Sequence, residues 1–149
     1  MAFFTSEYAC KLDAKGRLVL PARLKSNLPE ASANELFVRQ GFDPCLELYP
    51  LVEYKKIYSK ITGLNEFDAR YRKLQRNFFR GSTAIELDNA GRMLIPKTFL
   101  QYAKLDKEVM VVGMGNRMEI WNPDEYEKFL IQDPQELSEL AQDILTDNN

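Results

Sequence analysis

The sequence predicts an α+β fold made of two pseudo-symmetric repeats with flanking helices. The first observation is an internal duplication: FFTSEYACKLDAKGRLVLP (residues 3–21) aligns without gaps to FFRGSTAIELDNAGRMLIP (78–96), with 8 of 19 positions identical. The second is that both copies alternate short β-type runs with turn residues and helix-start signals. In a chain of 149 residues this pattern is typical of one compact domain, or of two small ones that share a core.

A second pair of matching segments strengthens the duplication. FVRQGFDPCLELYPLVEYKKI (37–57) aligns to VMVVGMGNRMEIWNPDEYEKF (109–129), which places Gly41 opposite Gly113 and Glu47 opposite Glu119. The offset falls from 75 to 72, so the first copy has three extra residues in the loop near PEASANE. We therefore expect two halves that complete one another's sheet. The segments are a first repeat (1–58), a linking helix region (59–76), a second repeat (77–130), and a C-terminal helix with an acidic tail (131–149).

Each repeat opens with two β-type runs joined by a tight turn. YACKLD and RLVLP are joined by DAKG, and the second copy repeats this chemistry with DNAG. Gly16 and Gly91 suit the left-handed residue of such a turn, and Asp13 and Asp88 can accept hydrogen bonds from its backbone N–H groups. The two runs are expected to form a two-stranded hairpin. Short helices PARLKSNL and PKTFLQYA follow, each with a proline at its first position.

Another hairpin and a helix complete each repeat. The runs ELFVRQG and CLELYP, and in the second copy EVMVVGM and RMEIWN, predict hairpins with a glycine near each turn. LVEYKKIYSKI and PDEYEKFLI predict the helices, the latter capped by Asn122 with Pro123 at its first position. A longer helix over about 65–79 links the halves and places Phe67, Tyr71, Leu74 and Phe78 on one apolar stripe. PQELSELAQDIL predicts a final helix.

Composition excludes several classes of protein. The chain has no histidine, and its two cysteines are not in a CxxC pair, so neither a zinc site nor histidine-based catalysis is expected. No metal, cofactor or small-molecule substrate is expected, and the chain is not predicted to be an enzyme. The N-terminus lacks signal-peptide features, and the longest apolar run is far below the ~20 residues of a membrane span. A cytoplasmic protein without membrane contact is therefore predicted.

The net charge of −2 conceals a strong asymmetry along the chain. Residues 55–80 contain eight basic and two acidic residues, a local net charge of +6, whereas residues 133–149 contain five acidic and no basic ones. A basic surface can therefore exist within a nearly neutral total. For the arginine stripe over 70–80, we favour a solvated helix face or a subunit interface over a DNA contact.

The repeated string D-x-x-G-R, followed by three apolar residues and a proline, carries a family resemblance. LDAKGRLVLPARL and LDNAGRMLIPKTF resemble the strand–turn–strand–helix signature of the swapped-hairpin AbrB-like superfamily. Two copies, with G…CLELYP…EY after the first, resemble the MraZ family over about residues 2–130. The resemblance implies a double-split β-barrel and subunits assembled as a homo-oligomeric ring. It also implies a nucleoid-associated regulator that binds short direct repeats of double-stranded DNA in the promoter of the division and cell-wall gene cluster, usually as a repressor.

The turn residues are the candidate DNA-binding site. An arginine on a hairpin can read guanine through two parallel donors, which indicates Arg17, while Lys15, Arg23 and Lys25 can contact phosphates. The second copy has Ala90, Thr98 and Leu100 at these three basic positions. We therefore expect the first copy to make most of the DNA contact, and Arg92 to be a second candidate with a mainly architectural role.

Two alternatives remain open from the residues alone. The D-x-x-G-R turns can be purely structural, with each aspartate bonded to backbone N–H groups or paired with its arginine. The chain can also be a protein-binding module, either antitoxin-like or a ring-shaped scaffold, that uses this fold without reading DNA.

Overall fold

The computed structural model describes residues 3–29 and 35–147 and confirms the α+β class. Within this part of the chain each repeat has the order β-β-α-β-β-α-α. The elements are β1 Glu7–Lys11, β2 Arg17–Val19, α1 Ala22–Ser26, β3 Leu36–Gln40, β4 Leu46–Pro50, α2 Leu51–Thr62 and α3 Ala69–Arg80, then β5 Ser82–Ile85, β6 Arg92–Leu94, α4 Lys97–Tyr102, β7 Glu108–Gly113, β8 Met118–Trp121, α5 Pro123–Glu127 and α6 Pro134–Asp147. The three-residue insertion predicted in the first copy lies mostly outside the described residues.

The main sheet shows the two-fold relation between the repeats. Its six strands have the order β1-β7-β8-β4-β3-β5, and each recorded pair is antiparallel. Reading this order backwards replaces every strand with its counterpart from the other repeat. The pseudo-two-fold axis therefore passes between β4 and β8, where Glu47 lies directly opposite Glu119.

The repeats exchange strands, and the expectation of a simple β1–β2 hairpin is wrong. β1 pairs with β7 and β5 pairs with β3, while β2 and β6 leave the sheet and form a separate two-stranded ribbon. Among the described residues, the backbone pairing that still connects β1 to β2 is a bridge between Leu12 and Leu18 and the bonds of the turn. The strands diverge after the turn because each finds its partner in the other half. Within the described ranges the strands form this open sheet and ribbon and no closed barrel.

The main core lies between the sheet and the ribbon. Leu18 and Met93 point inward from the ribbon and are fully buried, and helices α1 and α4 add Leu24 and Phe99. The opposite face of the sheet carries two smaller clusters. One lies under α2 and α3 and contains Phe37, Tyr49, Tyr54, Ile57, Ile61 and Phe78; the other lies under α5 and contains Cys45, Met110, Val112, Trp121 and Tyr126.

One part of the sequence alignment is displaced by a residue. Arg39 pairs with Glu47 in the first repeat, whereas Val112 pairs with Glu119 in the second. The offset in this strand is therefore 73, and Gln40, not Gly41, is the counterpart of Gly113. Gly113 has its own physical reason: a Cβ there would lie 2.3 Å from the backbone nitrogen of Thr5. The β7–β8 turn is consequently one residue shorter than the β3–β4 turn.

The helices largely follow their sequence signals. The Asn122 side chain accepts hydrogen bonds from the N–H groups of Asp124 and Glu125 and caps α5, as predicted. The linking helix α3 starts later than expected, at Ala69, because Asp68 caps it. Phe67 therefore lies outside the helix and is 87% exposed. The prediction that Phe67 belongs to the apolar stripe of this helix is wrong. No helix among the described residues is long and apolar enough to span a membrane.

Candidate nucleic-acid interface

The two D-x-x-G-R turns have the same hydrogen-bonded geometry. Asp13 Oδ1 accepts from the backbone N–H groups of Lys15 and Arg17, both at 2.9 Å, and the Gly16 N–H donates to the Asp13 carbonyl at 3.0 Å. In the second turn Asp88 Oδ1 accepts from Ala90 and Arg92, again at 2.9 Å. Gly16 and Gly91 have φ of +81° and +75°, a conformation that side chains with a Cβ rarely adopt. The turn chemistry expected of these residues is thus present in both copies.

Each aspartate also holds the arginine of its turn. Arg17 Nε lies 2.6 Å from Asp13 Oδ2, and Arg92 Nε lies 2.8 Å from Asp88 Oδ2. The backbone N–H of each arginine, followed by its side chain, lowers the pKa of the aspartate carboxyl. Both carboxylates are therefore charged at neutral pH. The ion pairs therefore do not distinguish the first turn from the second, because Arg17 and Arg92 are held in the same way.

The ion pairs leave the outer ends of both guanidinium groups accessible. The side chains of Arg17 and Arg92 are 31% and 36% exposed, and within the described ranges only their Nε atoms have a recorded side-chain hydrogen bond. Each arginine can thus be anchored on one edge while its two Nη groups donate elsewhere. Such an anchored guanidinium suits two-donor recognition of an acceptor pair, because less side-chain freedom is lost on binding.

The outer face of the ribbon carries both charged and apolar side chains. In its register Arg17 lies opposite Leu94, and Val19 lies opposite Arg92. These four side chains share the outer face, since Leu18 and Met93 between them are buried. Val19 and Leu94 are 53% and 59% exposed. Their outward position follows from strand alternation, because Leu18 and Met93 at the neighbouring positions point into the core.

The structure separates the basic residues that sequence proximity had grouped together. A Cβ on Gly91 would lie 3.3 Å from Lys25 Nζ, so this lysine of the first repeat reaches the turn of the second. The equivalent place at Gly16 is taken by Leu100 Cδ1, at 3.1 Å. Lys15 is exposed on the first turn and Arg23 is exposed on α1. Each turn therefore has one lysine near it: Lys15 at the first and Lys25 at the second.

In the described part of the chain, the surroundings of the ribbon show neither a cleft of one charge nor a metal site. An open cleft of about 590 Å³ adjoins the first turn, and its charged lining is mixed, with Lys11, Asp13, Asp106, Lys107 and Glu108. No group of three or more Cys, Asp or Glu side chains in the described part of the chain could hold a metal ion.

The fold and site define a duplicated α+β protein whose repeats exchange strands and present paired D-x-x-G-R turns. Residues 3–77 and 78–148 each match the family model described as "MraZ protein, putative antitoxin-like". The chain belongs to the MraZ family. The second match extends past residue 130, where the resemblance had ended, and includes α6.

Similar proteins carry the name "Transcriptional regulator MraZ". One from Cytophaga hutchinsonii is 57% identical over 145 residues, which is 97% of this chain and 96% of that protein. Another from Desulforamulus reducens is 37% identical over 142 residues, 95% of this chain and 97% of that protein. A third from Pseudomonas syringae pv. syringae is 43% identical over 122 residues, 81% of each chain. The family is thus one of transcriptional regulators and not a class of enzymes.

Proposed function

We propose that the chain is a sequence-specific DNA-binding transcriptional regulator that reads double-stranded DNA with the β2–β6 ribbon. The supporting observation is the outer ribbon face, where Asp13 and Asp88 anchor Arg17 and Arg92 through their Nε atoms, and no described residue pairs with their Nη groups. An anchored guanidinium matches the O6 and N7 acceptors of guanine in the major groove. The proposal assigns no catalytic step to the chain.

The dimensions of the ribbon suit a major groove. A two-stranded antiparallel ribbon fits a groove about 12 Å wide. Arg17 and Arg92 are diagonal neighbours in the ribbon register, which places their backbone positions about 7–8 Å apart. This spacing is close to two base-pair steps of about 3.4 Å each. Val19 and Leu94 lie beside the arginines on the same face and can contact thymine methyl groups.

The lysines and Arg23 supply the phosphate contacts in this proposal. Lys15 flanks the first turn, and Lys25 flanks the second turn, where Ala90 lacks a charge. We therefore propose that both turns contact DNA with comparable strength, in place of the first-copy dominance that the sequence suggested. Phosphate contacts position the protein without reading sequence, so losing one should weaken binding to all duplexes alike.

Assembly completes the proposed function. A single subunit of net charge −2 is a weak polyanion binder, so several ribbons acting together on adjacent promoter repeats would raise the avidity by ~10²–10⁴. We propose a homo-oligomeric ring that represses the division and cell-wall gene cluster in the cytoplasm, at the nucleoid. We also assign the sheet and ribbon to the AbrB-like double-split barrel. These assignments follow the family resemblance.

The test is a gel-shift titration on the DNA upstream of the chain's own gene, with and without nonspecific competitor. Arg17→Ala and Arg92→Ala should each weaken specific binding about 5–150-fold, the equivalent of about 1–3 kcal/mol for a guanine contact. Arg70→Ala is the matched control, because Arg70 forms a similar exposed pair with Asp68 on α3. Lys15→Ala and Lys25→Ala should reduce the salt dependence of binding by about one phosphate contact each. Unchanged binding after loss of both ribbon arginines would reject the proposal.

A second candidate function is a protein-binding module that does not read DNA. The outward apolar side chains Val19 and Leu94 favour it, because exposed apolar groups on an edge-rich ribbon also suit a protein partner. Two results together would support this alternative. The protein would produce no gel shift with the DNA upstream of its gene, and it would bind a protein partner with an affinity that Val19→Ser reduces.

A further inference from the structure

Helix α6 is exposed on all sides, yet its faces are organised. None of its residues is buried, and Leu137, Leu140 and Ile144 recur at helical spacing with 55%, 45% and 49% exposure. One position before each of these stands an acid, which produces a parallel acidic stripe of Glu136, Glu139 and Asp143, continued by Asp147. An amphipathic helix with an unburied apolar stripe lacks the surface that would normally cover it.

A groove between α2 and α3 offers an exposed apolar surface. It has a volume of about 360 Å³ and is lined by Phe37, Leu51, Tyr54, Lys55, Tyr58, Phe79 and Ser82. Tyr58 and Phe79 form its rim, with ring centroids 5.7 Å apart and exposures of 46% and 38%. Helix α2 is 12 residues long and α6 is 14, or about 18 Å and 21 Å. Helix α6 and the groove-lining helix α2 are therefore similar in length.

The charges around the groove are opposite to those of α6. Lys55 lines the groove, and Phe79 is shared with a neighbouring depression that is also lined by Glu66, Arg72 and Arg76. Several cations of α2 and α3 have no acidic partner among the described residues: Lys55, Lys60, Lys73, Arg76 and Arg80. The acids of α6 likewise have no cationic partner there. Residues 55–80 carry a net +6 and residues 133–149 a net −5.

We propose that α6 of one copy docks in the α2–α3 groove of a second copy, with its apolar stripe on the aromatic rim and its acids on the basic helices. This inference rests on the self-assembly included in the proposed function and names the surfaces that perform it. The contact joins two different surfaces of the chain, so it is head-to-tail. Contacts of this type produce a ring when the rotation closes and a filament when it does not.

The acidic stripe also argues against other occupants. Helices that bind membrane surfaces carry lysine and arginine on their polar face, and α6 carries none. DNA would repel α6 and could satisfy only the charges of the groove, leaving its aromatic rim exposed. A second copy satisfies the charge and the apolar surface of both partners at once.

Charge reversal in the full-length chain tests the proposal. Glu139→Lys with Asp143→Lys should convert the assembly to single chains in light scattering, and Lys55→Glu with Arg76→Glu should do the same. Combining all four changes in one chain should restore the wild-type mass, because the complementary charges return with opposite signs. Circular dichroism confirms that each variant is folded. Asp106→Lys with Lys107→Glu is the matched control, because both residues line the cleft beside the first turn and neither belongs to α6 or lines the α2–α3 groove.

Cysteine crosslinking identifies which chains are in contact. A chain with Leu140→Cys, co-expressed with a differently tagged chain carrying Tyr58→Cys, should form a reducible heterodimer. Replacing Tyr58→Cys with Val19→Cys, on the opposite side of the sheet, should abolish it. A disulfide found only within a chain carrying both changes would show that α6 folds back on its own groove and would overturn the inference.

The outcomes also separate this inference from the function on which it rests. A wild-type chain that is monomeric at all concentrations would overturn both the proposed assembly and this contact. An assembly whose mass is unaffected by both charge reversals would leave self-assembly standing and reject these surfaces. Loss of DNA binding by Lys55→Glu with Arg76→Glu at unchanged mass would reassign the basic helices to DNA.

Discussion

Replacing Arg39 with methionine should destabilise the protein far more than replacing an exposed arginine. Arg39 is 3% exposed, and its Nη2 lies 2.5 Å from Glu47 Oε2, which is itself buried. Its Nη1 donates to the Gln40 carbonyl, and its guanidinium lies 4.4 Å from the centre of the Phe42 ring. Removing one partner of a buried ion pair costs about 3–5 kcal/mol, because the remaining charge stays desolvated.

The surroundings of Glu47 place the expected cost at the low end of this range. Arg117 Nε still donates to Glu47 Oε1 at 2.8 Å, and the Tyr49 hydroxyl lies 3.2 Å from the same oxygen. We therefore expect Arg39→Met to lower the free energy of unfolding by about 3 kcal/mol. A buried pair replaced as a unit by apolar side chains is often neutral, so Arg39→Met with Glu47→Leu should recover part of the loss.

Urea denaturation measures this difference, with Trp121 fluorescence as the signal and protein concentration held constant. A loss of about 3 kcal/mol corresponds to a midpoint shift of about 1–3 M at ordinary m-values. Arg70→Met is the matched comparison, since Arg70 pairs with Asp68 at 80% side-chain exposure and should cost about 0–1 kcal/mol. Equal shifts for Arg39→Met and Arg70→Met would refute the reasoning that burial makes the Arg39–Glu47 pair costly to break.

Three further predictions concern backbone, protonation and thiol chemistry. Gly113→Ala should be the most disruptive glycine change in thermal unfolding, because the new Cβ would lie 2.3 Å from the backbone nitrogen of Thr5. Gly115→Ala, with φ +81° and open space around it, should lower the free energy of unfolding by only about 1–2 kcal/mol. Equal losses for the two variants would contradict this. The lowered pKa values of Asp13 and Asp88 stabilise the folded protein above the ordinary aspartate pKa of about 4, and this stabilisation is lost as the pH falls through the pKa values of the folded state. The melting temperature should therefore fall more steeply in acid for the wild type than for Asp13→Asn with Asp88→Asn. Parallel curves of melting temperature against pH would contradict this prediction. Burial raises the pKa of the Cys45 thiol well above its usual range, so Ellman's reagent at pH 8 should label it only after unfolding, and labelling in the native protein at the rate of a free thiol would count against it.

Local chemistry was predictable from the sequence wherever a single repeat contains all the participants. The aspartate-bonded turns, the β3–β4 and β7–β8 hairpins and the Asn122 cap each depend on residues a few positions apart. The duplication also predicted a two-fold relation, which the sheet order confirms.

Contacts between the repeats were not predictable in the same way. Two nearly identical hairpins can pair within a repeat or across repeats with the same local chemistry, so sequence does not decide that β2 joins β6. For the same reason Lys25 was grouped with its sequence neighbours, although it lies at the turn of the other repeat. The burial of Arg39 was also missed, because its partner Glu47 stands on the next strand and a lone arginine in an apolar run gives no sign of a buried pair.

Strand exchange between the repeats also has a consequence for synthesis. Val19 pairs with Arg92 in the ribbon, more than seventy positions later in the sequence, and the separation between β1 and its partner β7 is longer still. Long sequence separations of this kind slow folding, since much chain must be ordered before any contact is gained. A growing polypeptide therefore carries its first arginine turn well before the surface that turn belongs to can exist. The two-stranded ribbon can therefore form only after β6 has been synthesised, and the main sheet is completed only with β7 and β8.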